Sequence, residues 1–500
     1  MLRFLMCALV GVVVVSSNAA AQDARSPQRP ALNAMEALGT DSTAWQRVIT
    51  FVASWHSVQF PRAATNVALQ PWRIRLSAAG PQRALVDDQL RRVLRAREPV
   101  NGDSVVYARS LGALRIAGGS AHVKFRSVLT QQARAADSSG IDRDFARIVD
   151  SVRIATNMPA LAAAVMTGDS LLAHATTGLR RAEGTVPVTD TDRFHLGSDT
   201  KSMTAGLIGT LVDAGLVSFT TTLAELWPEL LPVMRAEYRP VTVADLLDHR
   251  SGLPANTTVR FMDSTERAQR VSLVKWAVAH PPVSARGLYA YSNVNYAMAG
   301  AIAERVTGQS YQQLMHERIF APLGMRTAGW GPAGAAGLSA GEEDQPWQHR
   351  IGTDGTRIAV APSPLADNQP ATAPAGRAHM SVSDWALWGR AVLRAASGRP
   401  SLWRNSTARM LTSPTTPVNG DDRYGNGWLG TTRPWGGPTG RVLTHSGTNT
   451  MNFAVAWLAP AIDVGFLVVT NQGGDAAGKA TDALVGRLLE WHRTRRAAAR

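Results

Sequence analysis

The 500-residue chain holds one cysteine, Cys7, so neither an intramolecular disulfide nor a zinc site built on cysteines can form. Lysine is nearly as scarce, occurring only at 124, 201, 275 and 479, and the formal charge of +14 therefore comes from scattered arginine. No zinc-finger, RNA-binding or basic-helix motif accompanies that charge, so the bias is read as compositional and no nucleic-acid partner is expected. Charged residues are only 18% and hydrophobic ones 45%, which excludes a disordered or fibrous chain and requires a folded core. Beyond the first residues no apolar run reaches the ~18 to 20 residues that span a bilayer, because 161–166 and 464–470 are of strand length.

The opening MLRF, an apolar stretch from Leu5 to Val15 and the small residues Ala19, Ala20 and Ala21 read as a secretory signal. Cleavage near Ala21 is expected, with loss of Cys7 and placement in the periplasm or outside the cell; a retained signal anchor is the alternative. Residues 22–36 read as a flexible linker. A small α+β appendage follows over 37–135, with helices at 37–56 and 82–95 and strands at 72–76, 104–116 and 120–129. Nothing in it suggests a site.

The main domain is placed at 143–493. A helix at 142–156 precedes strands at 161–166 and 172–176, with a turn at Gly168 and Asp169. The far end shows strands at 452–458 and 464–470, a turn at Gly473 and Gly474, and a helix at 477–493. Strands at both ends and a helical middle predict an α+β fold: one antiparallel sheet, flanked by helices, closed by the two ends around a mostly helical insertion. The stretch 329–378, rich in Gly, Pro and Ala, has little periodicity and reads as a long loop.

Three segments carry chemistry. In FHLGSDTKSMTAGLIGTLVDAGL a short strand gives way at Gly197 and a helix runs from Lys201 to Ala214, stopped by Gly215. Ser198 falls at the helix start and Lys201 three residues later on the same face. A serine hydroxyl needs a base to become a nucleophile, and a lysine serves only when burial lowers its pKa. Taken alone, Ser198 is equally a helix cap and Lys201 a solvated residue. In GLYAYSNVNYAMAG, Tyr291 and Asn293 are separated by one residue, so on an extended or loop backbone both side chains can point the same way. Tyr291 can pass a proton to a leaving group, and Asn293 can bond both an ammonium and a substrate carbonyl. In RVLTHSGTNTMNFAVAWL, His445-Ser446-Gly447 is read at the start of a strand. Gly447 permits close backbone approach, the Thr448 N–H can join the Ser198 N–H as an oxyanion hole, and His445 can hold a carboxylate or assist proton movement.

With these motifs in this order, the chain resembles the penicillin-recognising serine hydrolases, in the branch with class C β-lactamases, DD-carboxypeptidases, D-aminopeptidases and related esterases. Ser198 and Lys201 match S-x-x-K, Tyr291 and Asn293 match Y-x-N, and His445 and Gly447 match K/H-x-G. The phrases LLDHRSGLP, IFAPLGM, RYGNGW and VGFLVVTNQ add to the likeness. The resemblance implies a β-lactamase/transpeptidase-like fold, a Ser198 nucleophile with Lys201 as its base, Tyr291 in leaving-group proton transfer, and Asn293 orienting substrate. It implies an acyl-enzyme and no metal or organic cofactor. His445, where many β-lactamases carry Lys, offers a neutral imidazole with less pull on a carboxylate.

The expected function is therefore an exported hydrolase of esters or small amides. DD-carboxypeptidase, D-aminopeptidase and β-lactamase activities are alternatives, with small esters, amides, peptides or peptidoglycan fragments as partners. A catalytically silent cell-wall peptide binder is the non-enzyme alternative. Other motifs dissolve in context. Gly425-x-Gly427-x-x-Gly430 follows no apolar strand and opens no helix, which excludes a dinucleotide fold. His316-Glu317 lacks a second His at metal spacing, and Trp385 with Trp388 reads as buried helix packing.

Overall fold

A computed structural model describes residues 143–498, and the readings for 1–21, 22–36 and 37–135 lie outside these described residues. The longer helices are α1 (Arg143–Ala155), α2 (Thr200–Asp213), α3 (Glu266–Ala279), α4 (Asn293–Thr307), α5 (Val382–Ala396) and α6 (Asp475–Ala498). The main strands are β1 (Ala160–Met166), β2 (Leu171–Gly178), β3 (Thr416–Asn419), β4 (Asp422–Gly425), β5 (Trp428–Thr432), β6 (Arg441–Thr448), β7 (Phe453–Ala459) and β8 (Val464–Thr470). These eight form one sheet in the order β2-β1-β8-β7-β6-β5-β4-β3, and every pairing is antiparallel. The first hairpin thus lies beside the last strand, with Val165 opposite Phe466 and Ala163 opposite Val468.

β1 and β8 are buried along their whole length, which requires cover on both faces. The period-2 alternation divides that burial. Leu161, Ala163 and Val165 pack with Val464, Phe466 and Val468 under the terminal helices, where α1 offers Phe145, Val149 and Val152 as one stripe. The alternate residues Ala162, Ala164 and Met166, with Leu467 and Val469, join the core of the helical insertion. On this face Gly389 of α5 admits the Met166 side chain, since a Cβ there would stand 2.3 Å from Met166 Cε. Trp385 and Trp388 of α5 are both buried, so they pack as the sequence suggests.

α2 lies inside the insertion and is buried on nearly every side, which is why its sequence shows no polar face. The stretch 329–378 departs from the expected long loop. It holds short strands at Gly329–Trp330 and Ala378–Met380, a hairpin of Gln348–Ile351 with Arg357–Val360, and a helical turn at Ala373–Gly376. Its order comes from polar contacts instead of an apolar stripe: Gln348 Nε2 donates to the Ala366 carbonyl at 2.7 Å, and His349 Nδ1 lies 2.8 Å from the Asn471 carbonyl. Apolar periodicity carries no trace of such anchoring.

Candidate active site

The short strand Phe194–His195 leads into a tight turn at Gly197–Asp199 and then α2. Gly197 has φ +52°, the left-handed region that glycine adopts without strain. Ser198 is thereby set immediately ahead of α2, with Lys201 wholly buried in its first turn. Lys201 Nζ lies 2.9 Å from Ser198 Oγ, 2.7 Å from Asn293 Oδ1 and 2.7 Å from the Ala375 carbonyl oxygen. Tyr291 and Tyr296 wall the amine, their ring centroids 4.8 and 5.7 Å away.

Burial holds the Lys201 amine well below the ordinary lysine range, and the nearby Asp199 carboxyl opposes this only in part. A neutral amine has two N–H donors and one lone pair. Asn293 Oδ1 and the Ala375 carbonyl can only accept, so they take both donors and leave the lone pair for the Ser198 hydroxyl proton. Asp199 is buried, neither carboxyl oxygen meets a hydrogen-bond partner, and burial raises its pKa well above the usual carboxylate range.

Tyr291 Oη donates to Ser198 Oγ at 2.8 Å, and burial keeps the phenol protonated by raising its pKa. Tyr291 lies in a loop, one of the two backbones its spacing allowed, whereas Asn293 does not. It is the first residue of α4, because the Ser292 side chain caps that helix by accepting from Asn295 N–H. The helix start turns Asn293 toward Lys201 while its Nδ2 donates to Asn256 Oδ1 at 2.7 Å.

His445-Ser446-Gly447 also sits elsewhere than expected, at the end of β6 and not at its start. Gly447 faces the nucleophile turn: a Cβ on it would stand 2.0 Å from the Leu196 carbonyl oxygen and 2.6 Å from Ser198 N. A Cβ on Gly197 would stand 2.3 Å from Thr448 N. Only two glycines let these backbones approach closely enough to bring the Ser198 and Thr448 amides side by side. His445 Nδ1 donates to the Ser446 carbonyl at 2.8 Å, and its Nε2 accepts from Tyr424 Oη at 3.1 Å. Burial, aided by the neighbouring Lys201, pushes its pKa down to about 3. The imidazole is thus neutral, with both nitrogens engaged.

Sequence reasoning missed a polar joint behind this cradle. Gly197 N–H donates to His195 Nδ1 at 3.1 Å, so His195 carries its proton on Nε2, 2.9 Å from Asp367 Oδ2. Asp367 Oδ1 accepts from Asn449 Nδ2 at 3.2 Å. Hydrogen bonds from His195 and Asn449, together with the charge on Arg377, outweigh burial and hold the Asp367 carboxylate down at about 2. One carboxylate therefore ties the turn before Ser198 to the residue after Thr448. His195 borders the first motif, but nothing in the sequence joins it to Asp367.

A cleft of about 580 Å³ opens at Ser198, lined by residues 256–260, Asn293, 367–369, Thr372, Ala375, Gly376 and 448–450. Among the described residues no group of three or more His, Cys, Asp or Glu is arranged to hold a metal, and no helix is long and apolar enough to cross a membrane. Gly425 and Gly427 flank the turn between β4 and β5, where Gly427 packs on α2 with Ser202 N 2.3 Å from where its Cβ would be. Glu317 accepts from Gln309 and Gln313 on an exposed helical turn.

Residues 142–489 match the family model described as Beta-lactamase. The chain belongs to the beta-lactamase family. It is 28% identical over 365 residues to Penicillin-binding protein 4 of Amycolatopsis lactamdurans, covering 68% of this chain and 88% of that one. It is 27% identical over 365 residues to Unguisins hydrolase ungD' of Aspergillus campestris, covering 70% of this chain and 65% of that one. The class C beta lactamase structure from Rhodobacter sphaeroides superposes with a TM-score of 0.55 at 20% identity, covering 70% of this chain and all (100%) of the other. That likeness speaks for the β-lactamase/transpeptidase fold.

Proposed function

We propose that this protein is a serine hydrolase that cleaves ester or small amide bonds through a Ser198 acyl-enzyme. The observation that carries this reading is the pair of contacts at Ser198 Oγ: a buried lysine nitrogen at 2.9 Å and a protonated tyrosine hydroxyl at 2.8 Å. A helix cap needs neither.

Ser198 Oγ attacks the carbonyl carbon as its proton passes to Lys201 Nζ. The Ser198 and Thr448 amides stabilise the charge that develops on the carbonyl oxygen. Tyr291 protonates the leaving group, and water then releases the acyl group from Ser198. Asn293 orients both the lysine and the substrate.

Intact mass after exposure to a fluorophosphonate tests this reading, with Ser198→Ala as the control. One adduct on the wild type and none on the variant is expected. No adduct on folded wild type overturns the reading in favour of a silent peptide binder. A peptidase form of the same chemistry is the second reading, favoured by the amide side chains of Asn256, Asn293, Asn368, Gln369 and Asn449 along the cleft. β-Lactam turnover is the lesser activity, since His445 is neutral. Export rests on the signal-like residues 1–21, and a secreted product beginning at Gln22 is the result that supports it.

A further inference from the structure

Two segments wall the cleft, 256–260 and 367–376, and the Gln369 side chain joins them. Its Nε2 donates to Thr257 Oγ1 at 2.6 Å and to the Val259 carbonyl at 3.1 Å, while its Oε1 accepts from Phe261 N–H at 2.9 Å. The amide grips the backbone on both sides of residue 260, much as a neighbouring strand would. The residue held there is Arg260, exposed and lining the cleft.

No carboxylate among the described residues lies within ion-pair distance of Arg260. Asp367, the one acidic side chain among the described residues lining the cleft, is engaged by His195, Arg377 and Asn449. The remaining lining is mostly amide and hydroxyl. Nor does the third motif supply a cation, because His445 is neutral and bonded to Tyr424. A guanidinium on a pinned wall offers a planar fork of donors that fits a carboxylate.

Direction follows from the lining. Asn293, which orients the substrate, and Ala375 both line this cleft, and with Ser198 they put the acyl-accepting side of the nucleophile on it. The cleft therefore receives the acyl side of the substrate. We propose that Arg260 is a specificity-determining residue that binds a carboxylate on the acyl group, so that preferred substrates are esters or amides of acyl groups bearing a second, free carboxylate. This inference rests on the Ser198 hydrolase reading.

The test compares p-nitrophenyl glutarate with its methyl-capped counterpart on wild type, Arg260→Ala and Arg260→Glu. The expected wild-type preference for the free carboxylate is about ten-fold in kcat/KM, the size of a charge-assisted hydrogen bond. The ratio should approach one in Arg260→Ala, fall below one in Arg260→Glu, and shrink with added salt in the wild type. Equal ratios in all three proteins overturn the assignment. Fluorophosphonate labelling of each protein separates the two failures: an absent wild-type adduct defeats the hydrolase reading, whereas an adduct with a flat ratio defeats only the role of Arg260. Should neither ester turn over, protection of Ser198 from the fluorophosphonate by monomethyl glutarate reads the same contact. Equal protection in wild type and Arg260→Glu, or none in either, overturns the proposal.

Discussion

Replacing Gly447 with alanine should separate catalysis from folding, because the obstruction is backbone against backbone. A Cβ at 447 would stand 2.0 Å from the Leu196 carbonyl oxygen, 2.6 Å from Ser198 N and 2.9 Å from Asp199 N, none of which can swing aside as a flexible side chain would. Reaching 3.4 Å, where contact becomes ordinary, requires β6 and the nucleophile turn to part by about 1.4 Å at the tightest point. The Ser198 and Thr448 amides lie on opposite sides of that gap, so an oxygen held by one moves out of reach of the other. Loss of one oxyanion donor costs about 10²- to 10³-fold in kcat, or ~2.7 to 4 kcal/mol. Gly447→Ala should lower kcat by that amount and change KM much less, because the acyl-side walls at 256–260 and 367–372 are untouched.

The assay is steady-state hydrolysis of a p-nitrophenyl ester, with Tm and fluorophosphonate labelling rate measured on the same samples. Gly376→Ala supplies the graded comparison, since its Cβ would rest 3.4 Å from the Gly197 carbonyl carbon and 3.6 Å from Ser198 N. That variant should retain activity within about threefold, because ordinary packing distances demand little movement. A folded Gly447→Ala protein with kcat within threefold of wild type would refute the cradle argument.

Other perturbations probe the electrostatics. Acylation needs the neutral Lys201 amine, so its rate should fall about tenfold per pH unit below the lowered folded pKa of that group. The acid limb should persist in His445→Gln, whose lost imidazole titrates only near 3, and its disappearance from the kcat/KM profile would assign the limb to His445 instead. Asp199→Asn should raise Tm increasingly with pH above the ordinary carboxylate value of 3.8, where the unfolded chain ionises and the folded carboxyl keeps its proton. An equal Tm difference at pH 3 and pH 7 would count against a protonated Asp199. Asp367→Asn should lower kcat by about tenfold with KM nearly unchanged, since it weakens a charge-assisted joint behind the oxyanion amides. A fall in Tm with unaltered kcat would make that residue structural only.

Much of the local pattern was legible from the chain. The strand at 464–470 stands out because a fully buried central strand is written as an unbroken apolar run, and the joining of both chain ends follows from where such runs fall. Ser198 and Lys201 were legible because a helix start fixes their spacing. What escaped has physical reasons. β6 reads RVLTHSGT, whose polar second half has weak strand preference, yet Gly447 pairs with Ala454 and Thr448 with Phe453, so ladder contacts override propensity and move the third motif to the strand end. The Ala375 carbonyl that orients Lys201 is a backbone group with no side-chain signature. His195 with Asp367, and Gln369 with the backbone beside Arg260, are partners more than a hundred residues apart, and no local period links them.

These long-range contacts also explain how a neutral third motif fits an active-site arrangement. A charged side chain at 445 would face Tyr424 in a buried pocket beside Lys201, and a second positive charge there would depress the lysine further. The imidazole avoids this by donating to its own strand and accepting from Tyr424, so it packs without adding charge next to the base. Among the described residues lining the cleft, Arg260 is the one cation without an ion-pair partner, and it is exposed, whereas Lys201 is buried. Base strength and substrate attraction are thereby assigned to separate segments. The lysine depends on burial by α2, α4 and the Ala375 turn, whereas anion preference depends on a surface wall pinned by Gln369. Changes at 260 can therefore alter which acyl groups are favoured without altering the neutrality of Lys201, while a charged replacement at 445 acts on both.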